Sequence, residues 1–288
     1  MAEKNQYRFK GHESFTIREG WLNKGLIAVS GNPKVFAENA GVDKLGVGPN
    51  MAKSIRYWMR CAGLTEERQR EGVFLTPLGE LLYEKDCYFE EDLSLWLVHC
   101  KIATNEKLAT AWYLFFNEFL YEEFDKKILS DEMKRLAGRI AENGKVADSS
   151  VESDCEAILH MYLKKDDRSG NPEEKNVSPF GKYQLLKKSG ETIQKKQPDL
   201  RHLPEEAVWF LLREQLKENQ SKAISIDELL EGKNGPGKIL QLKRTGLLEL
   251  LGRLEERELI TINHTAGLDM VYLTSEQETM QVIKEYYQ

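Results

Sequence analysis

The stretch Lys44–Leu75 does most to limit what this chain can fold into. It opens with Gly48-Pro49-Asn50 and runs into a two-faced helix from Met51 to Ala62. A glycine, a charged loop from Thr65 to Gly72 and the apolar triplet Val73-Phe74-Leu75 follow. At about 100° per residue, Met51, Ile55, Trp58, Met59 and Ala62 fall in one arc and need a core to pack on. Asn50, Lys53, Arg56, Tyr57 and Arg60 fall in the opposite arc, a set of side chains suited to phosphates and base edges. Helix, turn and charged hairpin in that order predict a winged-helix module, with residues 51–62 as reading helix and the hairpin as wing.

Charge is segregated around this helix, although the 288-residue chain has a net charge of −6. Residues 50–70 hold Lys53, Arg56, Arg60, Arg68 and Arg70 against Glu66 and Glu67. Residues 80–92 hold only Lys85 against Glu80, Glu84, Asp86, Glu90, Glu91 and Asp92. Such segregation orients a protein on a polyanion, while the acidic balance argues against indiscriminate coating of nucleic acid. No apolar run approaches the ~20 residues that span a bilayer, and Met1–Phe9 is polar, without the apolar core of a secretory signal. The expectation is a cytoplasmic protein with no membrane partner. Cys61, Cys87, Cys100 and Cys155 are scattered, with no zinc-ligand spacing, and read as reduced, mostly buried thiols.

The pattern predicts a mainly α protein in three parts: an N-terminal winged helix at 1–88, a helical middle domain at 89–200 and a C-terminal winged helix at 201–288. In the first part a helix is expected over Arg18–Ala28. A second should start at Asn32-Pro33, an N-cap followed by proline at N1, and run to about Asn39. Another should begin at Thr76-Pro77. The middle should hold helices near Leu93–Ile102, Leu108–Phe124, Ser130–Asn143 and Ser153–Leu163, with dense aromatics as core. Residues 164–178, polar and turn-rich, read as a mobile loop or linker. In the last part Pro204–Asn219 should be helical, and Ser225-Ile226-Asp227-Glu228 is a capping box. Lys238–Glu258 reads as one leucine-rich helical stretch, and Leu259–Asn263 with Met270–Thr274 as a hairpin.

The two ends differ in surface. From Lys243 onward Leu247, Leu251 and Leu254 share a buried arc, opposite Thr245, Glu249, Gly252, Arg253 and Glu256. Glutamates on a reading face repel phosphates, so this module is expected to serve protein contact or homodimerisation. Gly235-Pro236-Gly237-Lys238 ahead of it could grip one phosphate through backbone N–H groups, with Lys238 beside it.

A second run, Phe9-Lys10-Gly11-His12-Glu13-Ser14-Phe15, followed by Arg18, has two readings. It could be a polar cluster that handles phosphate or a water nucleophile, or an ordered arm packed by Phe9, Phe15 and Trp21. Gly11-His12-Glu13-Ser14-Phe15, Ile17-Arg18, Gly20-Trp21-Leu22-Asn23-Lys24-Gly25 and Gly46-Val47-Gly48-Pro49-Asn50-Met51-Ala52-Lys53-Ser54-Ile55-Arg56-Tyr57-Trp58 closely resemble a bacterial family known as a domain of unknown function. Its members are typically encoded beside DNA phosphorothioation genes, and it is similar to the B component of Ssp-type phosphorothioation and defence systems. The resemblance implies DNA binding, other proteins of that system as partners, and DNA nicking. Where the family has Cys-Pro-Phe, this chain has Ser178-Pro179-Phe180.

A nickase usually gathers carboxylates around Mg²⁺ or Mn²⁺ to activate water. Pro198-Asp199 with Glu231-Gly232-Lys233 formally fits a P-D…E-x-K pattern, but its halves bracket a predicted helix rather than adjacent strands. No phosphate-binding glycine loop or clustered His/Asp motif stands in for it. His12 and Glu13 are then the catalytic candidates. Arg18, Asn50, Lys53, Arg56, Tyr57, Arg60, Arg68, Arg70 and Lys238 are the expected DNA-binding set. A winged-helix transcriptional regulator is the alternative function, and a partner-docking scaffold a further one.

Overall fold

Gly48 and Pro49 start the two-faced helix as expected, at the N-cap and first helical position of α3 (Pro49–Cys61). In this computed structural model, which describes residues 7–37, 39–141, 146–164, 177–265 and 268–288, the chain divides into two compact units, Met1–Lys196 and Gln197–Gln288. The loop expected at 164–178 lies outside the described residues except at 164, 177 and 178. The described residues are mainly helical, with three small sheets. None of their helices is long and apolar enough to cross a membrane.

The first unit opens with α1 (Trp21–Gly31), a 3₁₀ turn at Asn39–Gly41 and α2 (Val42–Leu45) ahead of α3. The helix expected from Asn32 to Asn39 is replaced by turns. Asn32 Oδ1 accepts from Lys34 N at 2.9 Å, and the Pro33 carbonyl accepts from Val73 N at 2.8 Å, so it is spent on the hairpin instead of a helix. That hairpin is β1 (Thr65–Arg68) against β2 (Gly72–Leu75), antiparallel, with Thr65 opposite Leu75 and Arg68 opposite Gly72. Half of the sequence read as loop is therefore strand. Thr76 Oγ1 accepts from Gly79 N at 3.1 Å and starts α4 (Pro77–Lys85).

Four further helices follow: α5 (Asp92–Ala103), α6 (Thr110–Asn117), α7 (Lys126–Ile140) and α8 (Asp148–Tyr162). The helix expected to reach Phe124 stops at Asn117. Glu123–Phe124 is strand β3, which pairs with β5 (Thr192–Lys195), itself paired with β4 (Leu186–Ser189). This sheet was not expected from the sequence. Trp96, Trp112, Phe115, Phe119, Tyr162 and Phe180 are all buried, as their density predicts.

The arm before α1 is docked into this helical core. His12 Nε2 lies 2.7 Å from Asp154 Oδ1 on α8, and Lys10 N–H donates to both oxygens of that carboxylate at 3.0 Å. The imidazole stacks on Trp58 of α3 and meets the edge of Trp112 of α6, with ring centroids 5.9 and 5.7 Å away. The Phe15 carbonyl accepts from Trp58 Nε1 at 2.9 Å and from Ser54 Oγ at 3.2 Å. Of the two readings of this run, the ordered arm is the one the contacts describe.

The second unit runs α9 (Glu205–Glu218), β6 (Ala223–Ser225), α10 (Ile226–Glu231), α11 (Pro236–Ile239), α12 (Arg244–Glu256), β7 (Ile260–Thr265), β8 (Leu268–Leu273) and α13 (Thr279–Tyr286), with sheet order β6-β8-β7. Ser225 Oγ accepts from Glu228 N at 3.1 Å, the first half of the expected capping box. The leucine-rich stretch is two helices, because Gln241 takes a φ of 52° and Lys243 is extended. Leu247, Leu250, Leu251 and Leu254 form the buried face of α12.

Two stability predictions follow from this packing. Gly72 has a φ of 135°, and a Cβ there would run into the Pro33 carbonyl. Gly72→Ala should cost about 2–4 kcal/mol, whereas Gly31→Ala, with open space around it, should shift the urea midpoint little. Asp154→Ala strands the His12 ring and the Lys10 N–H and should cost about 3–5 kcal/mol. Asp154→Asn, which keeps an acceptor, should cost less in the same titration.

Candidate nucleic-acid interface

On α3 the buried set is Ala52, Ser54, Ile55, Tyr57, Trp58, Met59 and Cys61. That leaves a narrow solvent stripe of Asn50 and Lys53, exposed, then Arg56 and Arg60, half-exposed. Tyr57 does not belong to it, contrary to the helical-wheel expectation. Its hydroxyl donates to the Leu108 carbonyl at 2.8 Å, the Arg8 guanidinium lies 5.0 Å from its ring centre, and burial pushes its phenol well above its ordinary pKa. A second packing layer, the arm and the loop before α6, covers the flank that a one-sided wheel leaves open.

The stripe is tied to the hairpin by one carboxylate. Glu67 Oε1 on β1 lies 2.9 Å from Arg56 Nε and 3.4 Å from Arg60 Nη1. Arg56 also stands 5.6 Å from the Phe36 ring centre. Next along β1, Arg68 pairs with Glu66 at 2.6 Å and lies 4.4 Å over the Phe74 ring. Arg70, at the tip, takes a left-handed conformation with a φ of 67°. Arg56, Arg68 and Arg70 share a cleft of about 590 Å³ with Lys34, Phe36 and Glu67. The sequence gives no sign of Lys34 and Phe36 here, because the Asn32-Pro33 start signal places them on a helix that does not form. Ion pairs this exposed are worth about 1 kcal/mol or less, so a phosphate can displace Glu67 and take a bidentate arginine.

The other expected site residues fall elsewhere. His12 is 1% exposed, and its partner Asp154 is equally sealed; burial raises the Asp154 carboxyl above its ordinary range, with the His12 hydrogen bond opposing the shift. A strand at the surface cannot reach this pair, so His12 is a packing residue in this structure, not a surface base. Glu13 is exposed in the Gly11–Ser14 turn with a φ of 51°. Arg18 is half-buried beside the rings of Phe15 and Trp21, in a cleft away from the hairpin residues. Lys238 sits on the four-residue α11, too short to offer an N-terminal anion site; Gly237 is accounted for by its close approach to the Leu230 backbone.

Asp199 accepts from Arg201 N at 3.0 Å and pairs with its guanidinium, which holds the carboxyl down at about 2. Glu231 ends α10. Among the described residues no three His, Cys, Asp or Glu side chains converge so as to hold a metal ion. Cys61, Cys100 and Cys155 are buried and Cys87 half-buried, all free; burial pushes the Cys61 and Cys155 thiols up to about 12, far from the thiolate form.

Known structures share this fold. The SspB crystal structure matches 97% of this chain and 87% of its own, with a TM-score of 0.84 at 23% identity. The magnesium ion-bound SspB crystal structure matches over the same shares, with a TM-score of 0.83 at 22% identity. No curated protein matches the sequence. The sequence matches the family described as "Protein of unknown function (DUF4007)" over residues 9–287, nearly its whole length. The chain therefore belongs to the DUF4007 family.

Proposed function

We propose that this protein is the DNA-binding component of a bacterial phosphorothioate modification and defence system. The observation that carries the reading is Arg56 of the α3 stripe meeting Arg68 and Arg70 of the β1–β2 hairpin in one cleft, with Arg60 tied to the same Glu67, in a chain with the fold of SspB. In this reading residues 1–88 act as a winged helix. Asn50, Lys53, Arg56 and Arg60 face a groove, and Arg68 and Arg70 hold backbone phosphate. Tyr57 supports the helix from behind. Residues 89–200 form the helical middle. Residues 201–288, a second winged helix with glutamates on α12, serve homodimerisation or contact with other proteins of the system.

Nicking is the further step of this proposal. Magnesium is bound in one SspB structure, and Mg²⁺ needs only one or two protein carboxylates alongside water and phosphate oxygens. Exposed Glu13 is the remaining catalytic candidate from the sequence.

Arg60→Glu or Lys53→Glu should abolish retention of duplex DNA at moderate salt, and each lost phosphate contact should lower the log–log salt slope by about 0.9. Glu67→Ala releases Arg56 and Arg60 and should tighten binding several-fold; unchanged affinity in both directions sinks the assignment. Nicking is checked separately with supercoiled plasmid. Open circles should form with Mg²⁺ or Mn²⁺ and not with chelator. Their absence, from protein that still shifts the plasmid, removes the nicking step and leaves binding intact.

A further inference from the structure

Away from α3 and its hairpin, the first unit carries two more clefts, and they share Lys164. One, about 490 Å³, lies beside the β4–β5 hairpin. Among the described residues its ionisable lining is Lys164, Lys187 and Lys188, with no carboxylate. None of these three lysines has an ion-pair partner among the described residues. The other, about 380 Å³, lies between the start of α1, the turn at Tyr88-Phe89 and the 3₁₀ segment Pro179–Tyr183. Arg18 lines it, its guanidinium carbon 5.3 Å from the Phe15 ring and 5.2 Å from the Trp21 ring. No described residue accepts a hydrogen bond from that guanidinium, and burial without a counter-ion lowers its pKa. Lys182 on the same wall pairs with Asp92 at 2.9 Å, and among the described residues Glu19 is the one carboxylate in the lining.

At the rim stands Tyr88, 72% exposed. Its turn is built, not slack. The buried Asp86 carboxylate accepts from Glu90 N at 2.9 Å, from Glu91 N at 3.1 Å and from the Ser94 hydroxyl, and the Asp86 carbonyl accepts from Phe89 N at 3.1 Å. The turn thus presents a large aromatic ring to water at the rim of the cleft that holds Arg18 and Lys164, neither of which has an ion-pair partner among the described residues. Phosphates suit the cations, and a flat base suits the ring. Recesses of 380 and 490 Å³ fit single nucleotides; they are too small for the width of a duplex. Among the described residues one carboxylate, Glu19, lines the Tyr88 cleft and none lines the lysine cleft, which assigns base stacking to the first and most of the phosphate contact to the second.

We propose that these two clefts form one track for single-stranded nucleic acid, with Lys187, Lys188, Lys164 and Arg18 along the phosphates and Tyr88 stacking a base. The track is separate from the α3 face and does not depend on the function assigned to it.

The test is fluorescence anisotropy of the full chain with a labelled oligothymidylate of about twelve nucleotides and with a duplex of equal length. The combined variant Lys164→Glu, Lys187→Glu, Lys188→Glu should weaken oligothymidylate binding at least about tenfold and flatten its salt slope, with duplex affinity held within about threefold. Tyr88→Ala should weaken the single strand by about fivefold or more and Tyr88→Phe should not, because the ring stacks and the hydroxyl does not. Arg60→Glu should do the reverse of the lysine variant. Wild-type protein that ignores oligothymidylate, a lysine variant that binds it normally, or one that loses both ligands equally overturns the track. An Arg60→Glu protein with normal duplex binding overturns the α3 assignment and leaves the track standing. The lysines are exposed, and an unchanged unfolding midpoint verifies that each variant is folded.

Discussion

The Asp154 carboxylate is the point on which the first unit is assembled. It takes both oxygens' worth of Lys10 N–H and the His12 ring, and so fastens the N-terminal arm to α8. The same ring lies against Trp58 and Trp112, which brings α3 and α6 into one aromatic contact, Trp58 and Trp112 being 4.9 Å apart edge to face. A buried charge with three hydrogen bonds is worth little against an apolar substitute, but removing one partner leaves the rest uncompensated. Its consequence is geometric. Three helices and the arm have one mutual arrangement in which every buried polar group around Asp154 is served except His12 Nδ1.

That arrangement decides which face of α3 meets solvent. With Tyr57 bonded to the Leu108 carbonyl and Trp58 and Ser54 bonded to the Phe15 carbonyl, rotation of the helix about its axis would break three hydrogen bonds at once. The basic stripe is therefore held in place from behind. From the front it is held by Glu67, through two half-exposed ion pairs, and by the Phe36 ring beside Arg56. A rigid scaffold with a loosely neutralised surface suits recognition of an anion, because the ligand replaces a weak pair and orders little else.

Much of this was legible in the sequence, for identifiable reasons. The amphipathic pattern and the Gly48-Pro49 start located α3 to within two residues at its start and one at its end, and Ser225 located the start of α10. The misreadings have physical causes as well. Tyr57 has the polarity of a surface residue but is covered by a loop some fifty residues away in sequence. Asn32-Pro33 carries a sound helix-start signal, overridden by the hydrogen bond between Val73 N and the Pro33 carbonyl. His12 looked like chemistry because its apolar surroundings, Trp58 and Trp112, come from distant segments. The β4–β5 hairpin had a local signal, Ser189-Gly190 between alternating residues, with Gly190 at a φ of 62°, but its β3 partner is only two residues long and leaves no periodicity to read.

The net charge of −6 gives these local details their meaning. Seen from beyond a Debye length, about 8–10 Å in physiological salt, the molecule repels a polyanion rather than drawing it in. Attraction begins only when a phosphate comes within reach of particular cations, so association should be less strongly steered than for a basic protein, and affinity set by close contacts. Under those terms a few residues weigh heavily: removing Glu67 changes a large fraction of the local field, and reversing one lysine also cancels a neighbouring one. The acidic background thus acts as a filter. For the proposed DNA-binding role it would suppress adsorption along arbitrary nucleic acid and reserve binding for substrates whose shape reaches a local cluster of cations.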